Sequence, residues 1–146
     1  MKIEIDQSGK LENTNKPTVL AFSNSTNHSI IISSRDKKRI QKLFRDIGAP
    51  RIYIFKTFAV LIYILIENYV KNIDQIMIDR EYIGYEKMIK QYISEIFLKN
   101  GRVLESSISF GQIGRKSRAH DKAIKSYRAN RADRRIFFKD FLLTTL

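Results

Sequence analysis

Three aspartates and a histidine stand where a chain that binds a hard cation would place them. Asp6 closes the apolar strand-like run Lys2-Ile3-Glu4-Ile5, Asp79 closes Ile76-Met77-Ile78, and His120-Asp121 opens a segment otherwise rich in Arg and Lys. Carboxylates brought together repel one another, and a divalent cation would neutralise them. The chain has no cysteine and two histidines. That excludes a disulfide framework and a thiolate zinc site, and it favours oxygen-bound Mg²⁺ or Mn²⁺. Each acid also has a purely structural reading. Asp6 can satisfy amides of the turn at Ser8-Gly9, Asp79 can cap the next helix, and Asp121 can sit in the favourable first turn of its own.

Charge points to the partner of such a site. The formal net charge is +12 and the sequence pI about 10.0, a balance that attracts nucleic acid or anionic membrane. From Arg115 to Arg135 there are nine Lys or Arg against two acids, Asp121 and Asp133. A merely solvated helix face would intersperse the two signs. Arg115, Lys116, Arg118, Lys122 and Lys125 are therefore the expected nucleic-acid contacts, gripping phosphates without reading sequence. A membrane-surface role fits less well, because this stretch lacks a strong apolar face. Tyr82, Tyr85 and Tyr127 are candidates for stacking on bases, although aromatic residues at helical spacing more often belong to a core.

These residues need elements to carry them. The chain has 146 residues and is 43% hydrophobic, enough for one domain that buries roughly two thirds of its unfolded surface. Residues 2–6, 18–22 and 29–33 read as strands joined by polar turns, an antiparallel meander. Ser34 or Asp36 can cap a basic helix with Ile40, Leu43, Phe44 and Ile47 on one face, ended by Gly48 and Pro50. The most apolar segment, 51–72, reads as a buried helix, although Ile52-Tyr53-Ile54-Phe55 has strand-like residues. Residues 73–79 read as a strand buried on both faces. After Gly84 comes a helix with Met88, Ile89, Tyr92, Ile93 and Ile96 on one face. Residues 103–113 read as a fifth strand, 117–129 as a helix and 136–146 as a last short element. The order gives an α/β domain with a mixed sheet. No secretory h-region is visible at Met1–Asp6, and the apolar run Phe58–Ile66 is short of the roughly 20 residues of a membrane span. The expectation is a soluble, cytoplasmic protein that does not enter membranes.

Two acids at strand ends and one at a helix start, in this strand order, resemble the ribonuclease H-like superfamily over roughly residues 2–130. That superfamily includes ribonucleases H, retroviral-type integrases and Holliday-junction resolvases. Asp6 in Ile5-Asp6-Gln7-Ser8-Gly9 matches its acid at the end of the first strand. Asp79 in Ile78-Asp79-Arg80-Glu81-Tyr82 matches the acid at the end of the fourth. Asp121 in Ala119-His120-Asp121-Lys122-Ala123 matches the acid on the helix after the fifth. Phe110-Gly111-Gln112-Ile113-Gly114 looks like the strand and loop before that helix, with Gln112 where a His is expected. The glutamate that ribonucleases H proper carry early in their first long helix is missing: only Lys56 and the distant Glu67 are there. The pattern is closer to the integrase and resolvase variants.

The resemblance implies one ribonuclease H-like domain over 1–146, with a mixed sheet of about five strands flanked by helices and a basic C-terminal helical region at about 115–146. It implies a nuclease in which two Mg²⁺ or Mn²⁺ ions drive phosphodiester hydrolysis. Asp6, Asp79 and Asp121 would hold metal, with His120 placing water or phosphate. Glu81 or Glu86 could supply a fourth carboxylate, although neither follows from a motif of the family. The partner would be DNA or RNA, with a second copy of the chain as a further candidate. The competing expectation is a non-catalytic nucleic-acid-binding protein on the same fold.

Overall fold

The computed structural model describes residues 1–145, and Leu146 lies outside the described residues. The strands are β1 (Lys2–Ser8), β2 (Thr18–Ser23), β3 (Asn27–Ile32), β4 (Gln75–Asp79), β5 (Ser107–Gly111) and β6 (Arg134–Ile136). The helices are α1 (Ser34–Asp46), α2 (Tyr53–Ile66), α3 (Glu86–Lys99), α4 (Arg118–Ala129) and α5 (Phe138–Thr145). The six strands form one sheet in the order β5-β4-β1-β2-β3-β6. β1, β2 and β3 are a meander, while β4 joins β1, β5 joins β4 and β6 joins β3 in parallel. Only β2 runs against the rest. The other five strands all end at one edge.

Alternation divides β1 between the two faces of the sheet. Ile3 and Ile5 enter the main core with Ile76 and Ile78 of β4, Leu20 and Phe22 of β2, and Ile30 and Ile32 of β3. α2 fills the centre of that core and is buried from Thr57 through Ile66. This sequestration explains why a segment rich in β-branched residues is helical, since packing overrides propensity when every side of a helix is covered. The opposite face carries a small cluster of Val19, Ala21 and Ile31, covered by Ala123 and Tyr127 of α4.

The structure moves several expected boundaries. Helix α2 is shorter than 51–72: a 3-10 turn at Pro50–Ile52 leads into it, and a second turn at Val70–Asn72 precedes β4. β5 begins at Ser107 rather than 103, because the exposed Val103 has no strand beside it to pair with. The basic C-terminal region is not uniformly helical. After α4 the chain returns to the sheet as β6, pairing Ile30↔Arg134 and Ile32↔Ile136, so the sheet has six strands rather than about five. Asp133 secures this return: its Oδ2 accepts the backbone N–H of Ser29 at 3.0 Å and the Ser29 hydroxyl at 3.3 Å.

The loop between β1 and β2 is more ordered than a polar turn. Leu11 is fully buried within it, and the Tyr53 hydroxyl donates to the Leu11 carbonyl at 3.1 Å. The buried ammonium of Lys37 donates to the carbonyls of Lys10 (3.1 Å) and Asn13 (2.7 Å) and to the Thr18 hydroxyl (2.9 Å). Loss of hydration lowers its pKa to about 8, with Glu12 acting the other way. No helix of the described residues is long and apolar enough to cross a membrane.

Gly9 connects this loop to α4. It holds φ +81°, and a Cβ there would run into the Pro17 carbonyl oxygen and lie 2.6 Å from the Tyr127 ring. Left-handed strain and overpacking together predict that Gly9→Ala lowers stability by about 2–5 kcal/mol, measured as the midpoint shift in denaturant at constant m-value.

Candidate metal and nucleic-acid site

The site begins with strand register. Parallel pairing sets Ile3 beside Ile76 and Ile5 beside Ile78, and the next positions along the two strands are Asp6 and Asp79. Alternation turns both away from the main core, toward the face covered by α4. Asp6 is 4% exposed. Its Oδ1 accepts the Gln7 N–H at 2.8 Å, and its Oδ2 lies 2.8 Å from His120 Nδ1. With Asp6 ionised, Nδ1 carries the hydrogen and Nε2 is left as the unpaired ring nitrogen. Asp79 Oδ1 accepts the N–H of Ile113 at 2.9 Å, fixing the loop that leads from β5 to α4.

Glu81 completes the group. Ligand oxygens of Asp6, Asp79 and Glu81 all lie within 4.8 Å of one another. The neighbours of Glu81 hold it there. The Arg80 N–H donates to the Gly111 carbonyl at 2.9 Å, while the Tyr82 ring packs on Phe55 and Phe58 with centroids 5.9 and 5.2 Å away. The Tyr82 hydroxyl reaches Gln7 and Glu12. Tyr82 is therefore a packing and anchoring residue, Tyr85 stacks on Phe55 at 4.2 Å, and Tyr127 covers Gly9 and the small cluster.

Of the expected residues, Asp6, Asp79, Glu81 and His120 come together, and Asp121 stands apart. Asp121 is exposed, and its Oδ2 accepts from Lys125 Nζ at 2.9 Å. The reason is helical geometry. Ala119 and Ala123 face the sheet, and Asp121 sits about 200° around the axis from Ala119, at the solvent side. His120, about 100° around, flanks the buried stripe and reaches Asp6. Glu86 is also outside the group, at the start of α3, with Arg80 Nε 3.9 Å away.

The electrostatics match a site with surplus negative charge. Desolvation raises the Asp6 pKa, with Asp79 adding to it, against the Gln7 and His120 contacts. Glu81 is exposed as a residue, and partial desolvation of its carboxyl, a hydrogen bond shared with Asp79 and the charges of Asp79 and Asp6 together push it up to about 7, with Lys10 opposing. Three clustered hard oxygen donors with surplus charge fit Mg²⁺ or Mn²⁺; Asp6, Asp79 and Glu81 are the residues that would hold it.

The basic residues lie along the same helix. Ser117 caps α4 and its hydroxyl donates to Glu4 Oε1 at 3.3 Å, so α4 runs beside β1 from Glu4 toward Asp6 and Gly9. Arg115, Lys116 and Arg118 are exposed and form no ion pair among the described residues. Lys122 is engaged by Asp133 at 3.1 Å and Lys125 by Asp121, which leaves both less available to a phosphate than the three cations before them.

The raised pKa of Glu81 has a definite sign. The folded state holds this proton more tightly than the unfolded chain, so its contribution is present below the ordinary value of 4.5 and is lost as pH rises toward about 7. In chelator, the melting temperature should fall between about pH 5 and about pH 8, and Glu81→Gln should flatten that fall. Saturating Mn²⁺ should restore the wild type at the upper end by several degrees, as a ligand at 100 Kd contributes about 2.7 kcal/mol. Asp79→Asn should abolish that gain, as read by differential scanning fluorimetry. No protein-family model, no curated protein and no solved structure matches this chain, so the chemistry of the site rests on its own residues.

Proposed function

We propose that the protein is a metal-dependent nuclease that hydrolyses phosphodiester bonds of DNA or RNA. The observation that carries this reading is the meeting of Asp6, Asp79 and Glu81 at the carboxyl edge of two parallel strands, with ligand oxygens within 4.8 Å, beside a helix that begins with unpaired cations. Strand order adds support. The succession β5-β4-β1-β2-β3, antiparallel through the meander and parallel from β1 to β5, suits a ribonuclease H-like arrangement, with β6 as an addition at the far edge.

Each residue has a task in this reading. Asp6, Asp79 and Glu81 hold the cations, and bound Mg²⁺ or Mn²⁺ supplies Lewis acidity and a more acidic water. His120 orients the Asp6 carboxylate through Nδ1 and offers Nε2 as an acceptor to a water. Arg115, Lys116 and Arg118 draw in the polyanion and position its backbone. Asp121 pairs with Lys125, outside the metal set. This last point favours a second reading, a nucleic-acid-binding protein without catalysis, since three carboxylates remain where four were expected.

The decisive assay compares branched DNA, RNA–DNA hybrid and single strands with Mg²⁺ and with Mn²⁺. Asp6→Asn should abolish cleavage while retaining binding, and His120→Ala should slow it about 10–100-fold, the usual cost of removing a ligand's hydrogen-bond partner. If the wild type cuts none of these substrates, the binding reading replaces the nuclease. Binding has its own measurement: neutralising Arg115, Lys116 and Arg118 together should weaken affinity for all sequences. The log–log salt slope should become shallower by about 0.9 for each phosphate of duplex DNA that is no longer neutralised.

A further inference from the structure

The carboxyl edge of the sheet carries a second charged feature, away from the carboxylates. Beyond the ends of β3 and β6, a cleft of about 560 Å³ opens between the first turns of α1 and α5. Phe137, in the link from β6 to α5, is 44% exposed. The Arg135 guanidinium lies 5.9 Å and the Lys139 ammonium 6.0 Å from its ring centre. Arg39 is laid over the Phe138 ring at 4.3 Å, and Arg35 completes the basic lining.

None of these four cations is ion-paired among the described residues. Among the described residues the one acid of the lining is Asp36, which accepts the Ser33 hydroxyl at 2.8 Å and the Phe138 N–H at 3.0 Å and is paired with no cation. Four cations thus face the single charge of Asp36, and the nearby Asp140, which accepts the Phe137 N–H at 2.7 Å, is paired with Arg134 at 3.7 Å. The cleft therefore presents an accessible aromatic face in a net positive field. A partner that answers both must be polyanionic and must carry flat rings it can expose. Unpaired nucleotides do so; a duplex hides its ring faces within its stack.

We propose that this cleft is a stacking platform for single-stranded nucleic acid, with Phe137 receiving a base and Arg35, Arg39, Arg135 and Lys139 holding the flanking phosphates. The platform lies three strand steps from β1 and four from β4, roughly 14–19 Å at the usual strand spacing. One extended strand of a few nucleotides can then rest on Phe137 and pass Asp6, Asp79 and Glu81 at the same edge. That second half rests on the nuclease reading; the platform itself does not.

The chain contains no tryptophan, so Phe137→Trp introduces a single indole at the platform. Titration with single-stranded oligothymidylate in chelator should quench its emission saturably, whereas a matched duplex and heparin, a polyanion without bases, should not. In anisotropy measurements Phe137→Ala should weaken binding of the same oligonucleotide about 5- to 100-fold, the range for one base stack, with duplex affinity unchanged. Phe137→Tyr should bind as the wild type does. Equal loss on single strand and duplex, equal quenching by heparin, no effect of Phe137→Ala, or no binding of oligothymidylate by the wild type would each overturn the platform. Because every arm is free of metal, a wild type that cuts nothing overturns only the nuclease reading, and quenching specific to the single strand would still establish the platform.

Discussion

Much of this molecule depends on the parallel pairing of β1 with β4. One register, Ile5 beside Ile78, decides two things together. It sends four isoleucines into the main core, and it leaves Asp6 and Asp79 on the other face at the same strand ends. A slip of β4 by one residue would reverse that strand, burying Asp79 on the side of α2 and turning Ile76 and Ile78 out of the core. The hydrophobic effect at α2 thus maintains the spacing of the acids on the far side of the sheet, and the site inherits its precision from a core it does not touch.

Around that register, the remaining parts are held by polar contacts of long sequence separation. Asp79 ties the loop before α4, Tyr82 ties the loop that carries Glu81, and Lys37 gathers the carbonyls of the loop that follows Asp6. An ammonium without hydration is costly, and three acceptors offset that cost only if their positions are fixed. The result is a rigid rim around three carboxylates that would otherwise separate to relieve their repulsion.

The alternating and helical patterns disclosed the strands of the meander, β4, and the helices α1 and α3, because each carries a continuous apolar stripe; α4, which has none, was placed by Gly114 ending the strand before it. Asp6 and Asp79 were legible for the same reason: a lone acid ending an apolar strand is conspicuous. β6 was not, since Arg134-Arg135-Ile136 is three residues with one apolar side chain, and its pairing depends on Asp133 meeting Ser29 far along the chain. Asp121 shows the other limit. Its neighbour and its helix were identified, but which of two adjacent residues turns inward depends on where Ala119 and Ala123 lie, and those small residues give a weak signal. Glu81 offered no more signal than Glu86; only the packing of Tyr82 on Phe55 and Phe58 separates them.

The unequal thickness of the two layers has a further consequence. Among the described residues, four helices share the main core, whereas α4 alone covers the other face, and the side chains it buries there are Ala119, Ala123 and Ser126. Removing a helix seated on such small groups exposes little apolar surface, so it opens at lower free energy than anything that disturbs α2. Sub-global opening of this protein should therefore start at α4, with its amides exchanging ahead of those in β1 and β4. Such an excursion would part His120 from Asp6 and carry the cations of 115–118 away together, while the two aspartates stayed in register on an intact sheet.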